Sequence, residues 1–180
     1  MIKLLTEESP AYVLEKTDDE KKTVLDVACS HSCPEVVEYL LSQGSSVHVN
    51  NFRGGPVLSA VMNIPDYAVP IASMVLDAGA NINLCDYMGR TALMFVIRLS
   101  ALKVIKSGSQ KYSYSDLFML LIERGCDVNA SYDFGKTALH LAVLAKQEIL
   151  VRKLLISGAD IDRRDAYGLT PLFYACESGS

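Results

Sequence analysis

The chain has 180 residues, half of them apolar, and a formal net charge of −4. That composition can build a core, and the mild acidity with few basic residues argues against nucleic acid as a partner. Cysteines at 29, 33, 85, 126 and 176 are odd in number and scattered, which suggests free thiols in a reducing compartment, the cytoplasm or nucleus. The N-terminal apolar run is too short for a signal peptide, and no stretch approaches the roughly 18 apolar residues that span a bilayer, so no membrane partner is expected.

Taken in order, the chain opens with apolar positions at Ile2, Leu4, Leu5, Tyr12, Val13 and Leu14. Glu7, Glu8, Glu15, Asp18, Asp19 and Glu20 face a lone Lys16 and make this end acidic, either a solvated face or a contact for a basic partner. Two short phrases then alternate. The first occupies residues 21–28, 54–61, 89–96, 135–142 and 168–175, and is clearest as Gly135-Lys136-Thr137-Ala138-Leu139-His140-Leu141-Ala142. The second runs from Leu40 through Gly44, from Leu76 through Gly79 to Asn83, from Leu121 through Gly125 to Asn129, and from Leu155 through Gly158 to Asp162. Interleaved phrases at fixed spacing mark a repeat array.

Local chemistry fits this division. Val36, Val37, Leu40 and Leu41 show helical spacing, as do Ile71, Met74, Val75 and Leu76, then Leu117, Phe118, Leu120 and Leu121, then Leu150, Val151, Leu154 and Leu155. Gly44, Gly79, Gly125 and Gly158 predict left-handed ends to those helices. Thr137 predicts a helix cap, Pro171 a first-turn residue, and Leu139 with Ala142 a single buried face.

The phrases Gly-x-Thr-Pro-Leu-His-x-Ala and Leu-Leu-x-x-Gly-Ala-x-Val-Asn resemble the ankyrin repeat, over roughly residues 18–180. The resemblance implies an all-α, ankyrin-repeat solenoid of helix-turn-helix units joined by β-hairpin-like loops, and protein binding as its work. Complete units are expected at about 18–50, 51–85, 86–131 and 132–164. Residues 1–17 would be an N-terminal cap or partial unit, and 165–180 an incomplete last unit. The register supports this. Each mid-repeat Gly precedes the next Thr, or Pro56 in its place, by 12 residues, whereas the spans from Thr to the next Gly are 21, 23, 34 and 21. A joining segment must hold a fixed rise, while a turn between the helices of a unit can bulge into water.

Three departures stand out. In the second unit, Pro65 is expected to stop the first helix and Pro70 to sit in the first turn of the second, with a slightly long loop and a less stable unit. In the third unit an insertion of about 98–114 carries Arg98, Lys103, Lys106 and Lys111 and no acid. Leu99, Leu102 and Ile105 predict a first helix that runs on to about Lys106. This insertion, with Tyr112 and Tyr114, would be either a tolerated bulge of little cost or a site that meets an acidic partner or a kinase acting on Tyr112, Ser113 or Tyr114. The last segment, from Thr170, predicts one helix with an unpaired apolar face, as in a fragment of a longer array or an end covered by another chain.

Catalytic chemistry is poorly supported. The resemblance gives His140 a structural role, hydrogen bonding between units. Cys29, His31 and Cys33 place three potential metal ligands in five residues. Zinc takes four ligands with wider pair spacing, and no second pair is apparent. No catalytic residue, cofactor, metal or small-molecule substrate is expected. Binding is the better reading. The hairpin tips, in register, are Asn51-Phe52-Arg53, Asp86-Tyr87-Met88, Tyr132-Asp133-Phe134 and Asp165-Ala166-Tyr167. Phe52, Arg53, Tyr87, Met88, Tyr132, Phe134 and Tyr167, with Arg90, Lys136 and Arg164 beside them, would bind a partner or else pack tip against tip. Asn63, Arg98 and Leu144 take equivalent positions on the inner helices and would extend the surface. The expected function is a non-catalytic interaction scaffold or regulatory subunit, acting on a kinase or a transcription factor. An ankyrin segment of a larger adaptor that recruits substrates is the alternative, and a metal or redox sensor at Cys29, His31 and Cys33 a third reading.

Overall fold

The structure is a computed structural model that describes residues 14, 16–49, 51, 54–63, 65–102 and 113–179. Its helices are α1 (Val24–Ser30), α2 (Pro34–Ser42), α3 (Gly55–Val61), α4 (Pro65–Asp77), α5 (Ala92–Ala101), α6 (Tyr114–Glu123), α7 (Ala138–Leu144), α8 (Glu148–Ile156) and α9 (Pro171–Ser178). A two-stranded hairpin, β1 (Ser131–Tyr132) with β2 (Lys136–Thr137), precedes α7. Among the described residues no helix is long and apolar enough to cross a membrane.

The helices form two layers. The odd-numbered ones, α1 to α9, pack each on the next, and α2, α4 and α6 do likewise behind them. Local sequence starts each helix. Thr23 and Asp26 exchange capping hydrogen bonds on α1, Ser113 and Asp116 do so on α6, and the Thr170 hydroxyl caps α9 just before Pro171. The second helices end at Gly44, Gly79, Gly125 and Gly158, with φ of 86°, 90°, 76° and 87°, the conformation that lets the next N–H groups close the last turn. Leu25, Leu40, Leu58, Ile71, Leu93, Phe118, Leu139 and Leu154 fill the space between the layers. Each contributes roughly 1.5–3 kcal/mol by leaving water.

The structure corrects three expectations. Pro65 opens α4, and Pro70 lies inside that helix, not in its first turn. The connection from α3 to α4 is therefore short, residues 62–64. α5 ends at Ala101 with Leu102 as its C-cap, short of Lys106. Of the expected insertion, residues 98–101 belong to α5, and Tyr114 opens α6. Lys103, Lys106, Lys111 and Tyr112 lie outside the described residues, as do Ile2, Leu4, Leu5, Tyr12 and Val13.

Candidate protein-interaction surface

The tips are shaped from below by buried aspartates. Asp86 Oδ1 accepts the N–H groups of Met88 and Arg90 at 3.0 and 2.9 Å. Asp165 Oδ1 accepts those of Tyr167 and Leu169 at 2.9 and 3.0 Å. Asp18 makes the same pair of bonds to Glu20 and Lys22. Such side-chain turns fix the backbone without help from a ligand. Burial opposes the ionisation of Asp165, but hydrogen bonds from Tyr174, Leu169 and Tyr167 outweigh it and hold its pKa below the usual carboxylate value. The bond to Asp165, 2.7 Å long, pushes the Tyr174 hydroxyl up to about 12. With the aspartates turned inward, Tyr87 is left 77% exposed and Tyr167 66%, with Met88 exposed beside Tyr87.

The hairpin at 131–137 is built differently. Tyr132 stands where the other tips carry Asp or Asn. Here the turn is held by the β1–β2 pairs Ser131 to Thr137 and Tyr132 to Lys136. Phe134 adopts φ 56° and ψ 27°, a left-handed conformation that costs a bulky L residue about 1–2 kcal/mol. It displays its ring 58% exposed, stacked on Tyr167 with centroids 5.8 Å apart. The backbone locks the tips side by side. Ala166 N–H donates to the Phe134 carbonyl at 2.7 Å, and Asp133 N–H to the Met88 carbonyl at 3.4 Å. Tyr87, Met88, Phe134 and Tyr167 therefore lie along one row of linked hairpins.

Other expected site residues divide by how they are engaged. The Arg90 guanidinium folds onto Asp86, with Nε 2.8 Å and Nη2 2.6 Å from Oδ2, and covers the Phe95 ring at 4.7 Å. Asn63 clamps two turns together. Its amide donates to the Cys29 and Ala60 carbonyls and accepts from the Ser32 hydroxyl. Lys136 Nζ lies 5.2 Å from the centre of the Tyr174 ring, and Arg164 donates to the Gly168 carbonyl. Arg98 and Leu144 are exposed. Tyr132 and Tyr114 are half-buried, and burial pushes both hydroxyls up. Phe52 and Arg53 lie outside the described residues. Sequence reasoning missed Phe95 and Tyr174, the partners of Arg90 and Lys136. Both stand in the phrase position held by Leu141, which was available as a signal.

His140 bridges units, with Nδ1 on Thr137 and Nε2 3.3 Å from the Leu169 carbonyl. In the trio Cys29, His31 and Cys33, the Cys29 thiol is buried and its pKa well raised by desolvation. His31 Nδ1 lies 2.8 Å from the Val27 carbonyl, and Cys33 Sγ donates to the His31 carbonyl. Among the described residues no group of His, Cys, Asp and Glu is placed to hold a metal ion.

A family model described as ankyrin repeats (3 copies) matches residues 109–180, and one described as ankyrin repeat matches residues 20–52. The chain is 28% identical over 163 residues to the B-cell lymphoma 3 protein homolog of Mus musculus, covering 88% of this chain and 33% of that protein. It is 32% identical over 170 residues to the Nuclear factor NF-kappa-B p105 subunit of Gallus gallus, covering 93% and 16%. It is 43% identical over 53 residues to the NF-kappa-B inhibitor alpha of Gallus gallus, covering 29% and 17%. The chain thus spans a third or less of the length of these relatives.

Proposed function

Because the chain belongs to the ankyrin repeat family, a family of protein-interaction modules, we propose that it is a non-catalytic regulator. It holds a partner protein on its hairpin tips and the adjoining face of the odd-numbered helices. The observation that carries this reading is the exposed aromatic row of Tyr87, Phe134 and Tyr167. Large rings held on a rigid backbone bury much area at small entropic cost, and such residues dominate interface energies. Pre-set turns lower the cost further, since the backbone is already in its bound shape. The strained Phe134 supports the same reading, because left-handed bulky residues persist where function needs them. Two relatives carry NF-kappa-B in their names, one as its inhibitor. That favours a transcription factor over a kinase as the partner, and the cytoplasm or nucleus as the place of action.

The test is affinity capture from source cells, with wild type beside a Tyr87→Ala, Phe134→Ala, Tyr167→Ala triple variant that keeps its circular dichroism spectrum. The partner is expected to be recovered by wild type and reduced at least about tenfold with the variant, since aromatic anchors contribute roughly 2 kcal/mol or more each. Equal recovery of the same partner by both would remove the tips from the interface.

A further inference from the structure

Exposed acids lie on the second helices, among them Glu35, Glu38 and Glu123, on α9 at Glu177, and in the joining segments at Asp127, Asp160 and Asp162; Asp77 and Glu148 are ion-paired to Arg124 and Arg152. The tips are different. Asp86 and Asp165 are buried, and each spends its charge on two backbone N–H groups plus the Arg90 guanidinium or the Tyr174 hydroxyl. Asp133 is the exposed acid on the three tips that carry Tyr87, Phe134 and Tyr167. The first tip, with Asp18, Asp19 and Glu20, remains acidic and lies at the far end of the array.

Beside the aromatic row stands Arg98, in the last turn of α5. It is exposed and makes no hydrogen bond or ion pair among the described residues. Tyr132 senses its charge together with that of Arg90. Phe95 lies one turn earlier on the same helix, half-buried, and exposed Leu144 takes the equivalent place on α7. The exposed Arg98 guanidinium presents a planar fork that matches a carboxylate with two parallel hydrogen bonds. One guanidinium balances one carboxylate, whereas a phosphate brings a charge of about −1.5 to −2 and is met by clusters of arginines.

We propose that this face takes an extended acidic segment of the partner protein, with an aspartate or glutamate side chain on Arg98 and large apolar side chains on either side, against Leu144 and against Tyr87 and Phe134. The inference rests on the interaction reading above and adds the chemistry of what is bound.

A displayed library of random 12-residue peptides selected on the intact chain tests it. Enriched peptides are then titrated by fluorescence polarisation against wild type, Arg98→Glu, Arg98→Lys and a Tyr87→Ala, Phe134→Ala variant, each checked by circular dichroism. Enriched peptides are expected to share an acid at a fixed place beside Leu, Ile or Phe. Arg98→Glu is expected to weaken them by about tenfold or more, with Arg98→Lys losing less because it keeps the charge but not the fork. Peptides that need Tyr87 and Phe134 but share no acid, or that bind Arg98→Glu as well as wild type, overturn this inference and leave the interaction reading standing. If no peptide depends on the tips, both fall.

Discussion

His140 is fully buried, and both ring nitrogens are in use. The Thr137 backbone N–H points at Nδ1, so Nδ1 accepts and Nε2 carries the proton towards the Leu169 carbonyl. A second proton would have to face that N–H inside the protein. Burial accordingly lowers the His140 pKa, against smaller upward pulls from Leu169 and Asp165. With the native pKa below the unfolded one, the unfolded chain binds more protons as pH falls under about 6.5, and stability drops. Thermal unfolding is expected to shift to lower temperature between pH 7.5 and 5.5, and His140→Gln to flatten that slope. Identical slopes in the two proteins would remove His140 as the cause. The same phrase position holds Asp26, Ser59, Met94 and Phe173 in the other units. Where Met94 replaces the imidazole, the buried Thr91 hydroxyl has no hydrogen-bond partner among the described residues.

Helix α4 shows burial overriding local preference. Pro70 within it supplies no N–H to the helical ladder, a loss of about 3 kcal/mol relative to Ala. A start at Pro65 is nevertheless favourable, since the first turn has no use for that N–H. It also aligns Ala68, Ile71, Ala72 and Val75 on one face, all fully buried. That stripe outweighs the defect. Pro70→Ala is expected to raise stability by about 1–3 kcal/mol, read as a higher midpoint in urea at unchanged slope. A neutral or lower midpoint would show that the ring's own packing matters more. Helix α5 illustrates the converse. Leu102 continues the helical spacing of Leu99, yet it is exposed at the cap. Spacing alone extends a helix only where there is something to pack against.

Across the whole molecule, each layer depends on its neighbours. Leu172 of α9 is 62% exposed, while Leu25, Leu58, Leu93 and Leu139 in the same phrase position are 1–2% exposed. α9 packs on α7 and leaves Leu172 and Phe173 exposed to solvent. Opening α9 therefore breaks one interface, and opening α5 or α7 breaks contacts on both sides. Backbone amides of α9 are expected to exchange with deuterium much faster than those of α5 and α7 in native buffer. Uniform protection across the odd-numbered helices would show that the array opens only as a whole.

The repeat, the helix-pair order and the glycine ends were legible from the sequence because each rests on residues close together in the chain and recurs at a fixed spacing. A pattern written several times also corrects its own weak copies, such as Pro56 in place of Thr. The candidate surface was only partly legible. Aromatic tips could be aligned by register, and three of them proved to be displayed in a row. Arg90, Asn63 and Lys136 looked equally available, but Arg90 folds onto Asp86 and Phe95 of its own unit, and stacking brings the Cys29 turn against Asn63 and the Tyr174 ring against Lys136. The left-handed turn at Phe134 and the exposure of Arg98 were likewise settled in three dimensions. Helix and turn formation are governed by neighbours in sequence, whereas the partners of Asn63 and Lys136 are supplied by the adjacent units and so depend on stacking.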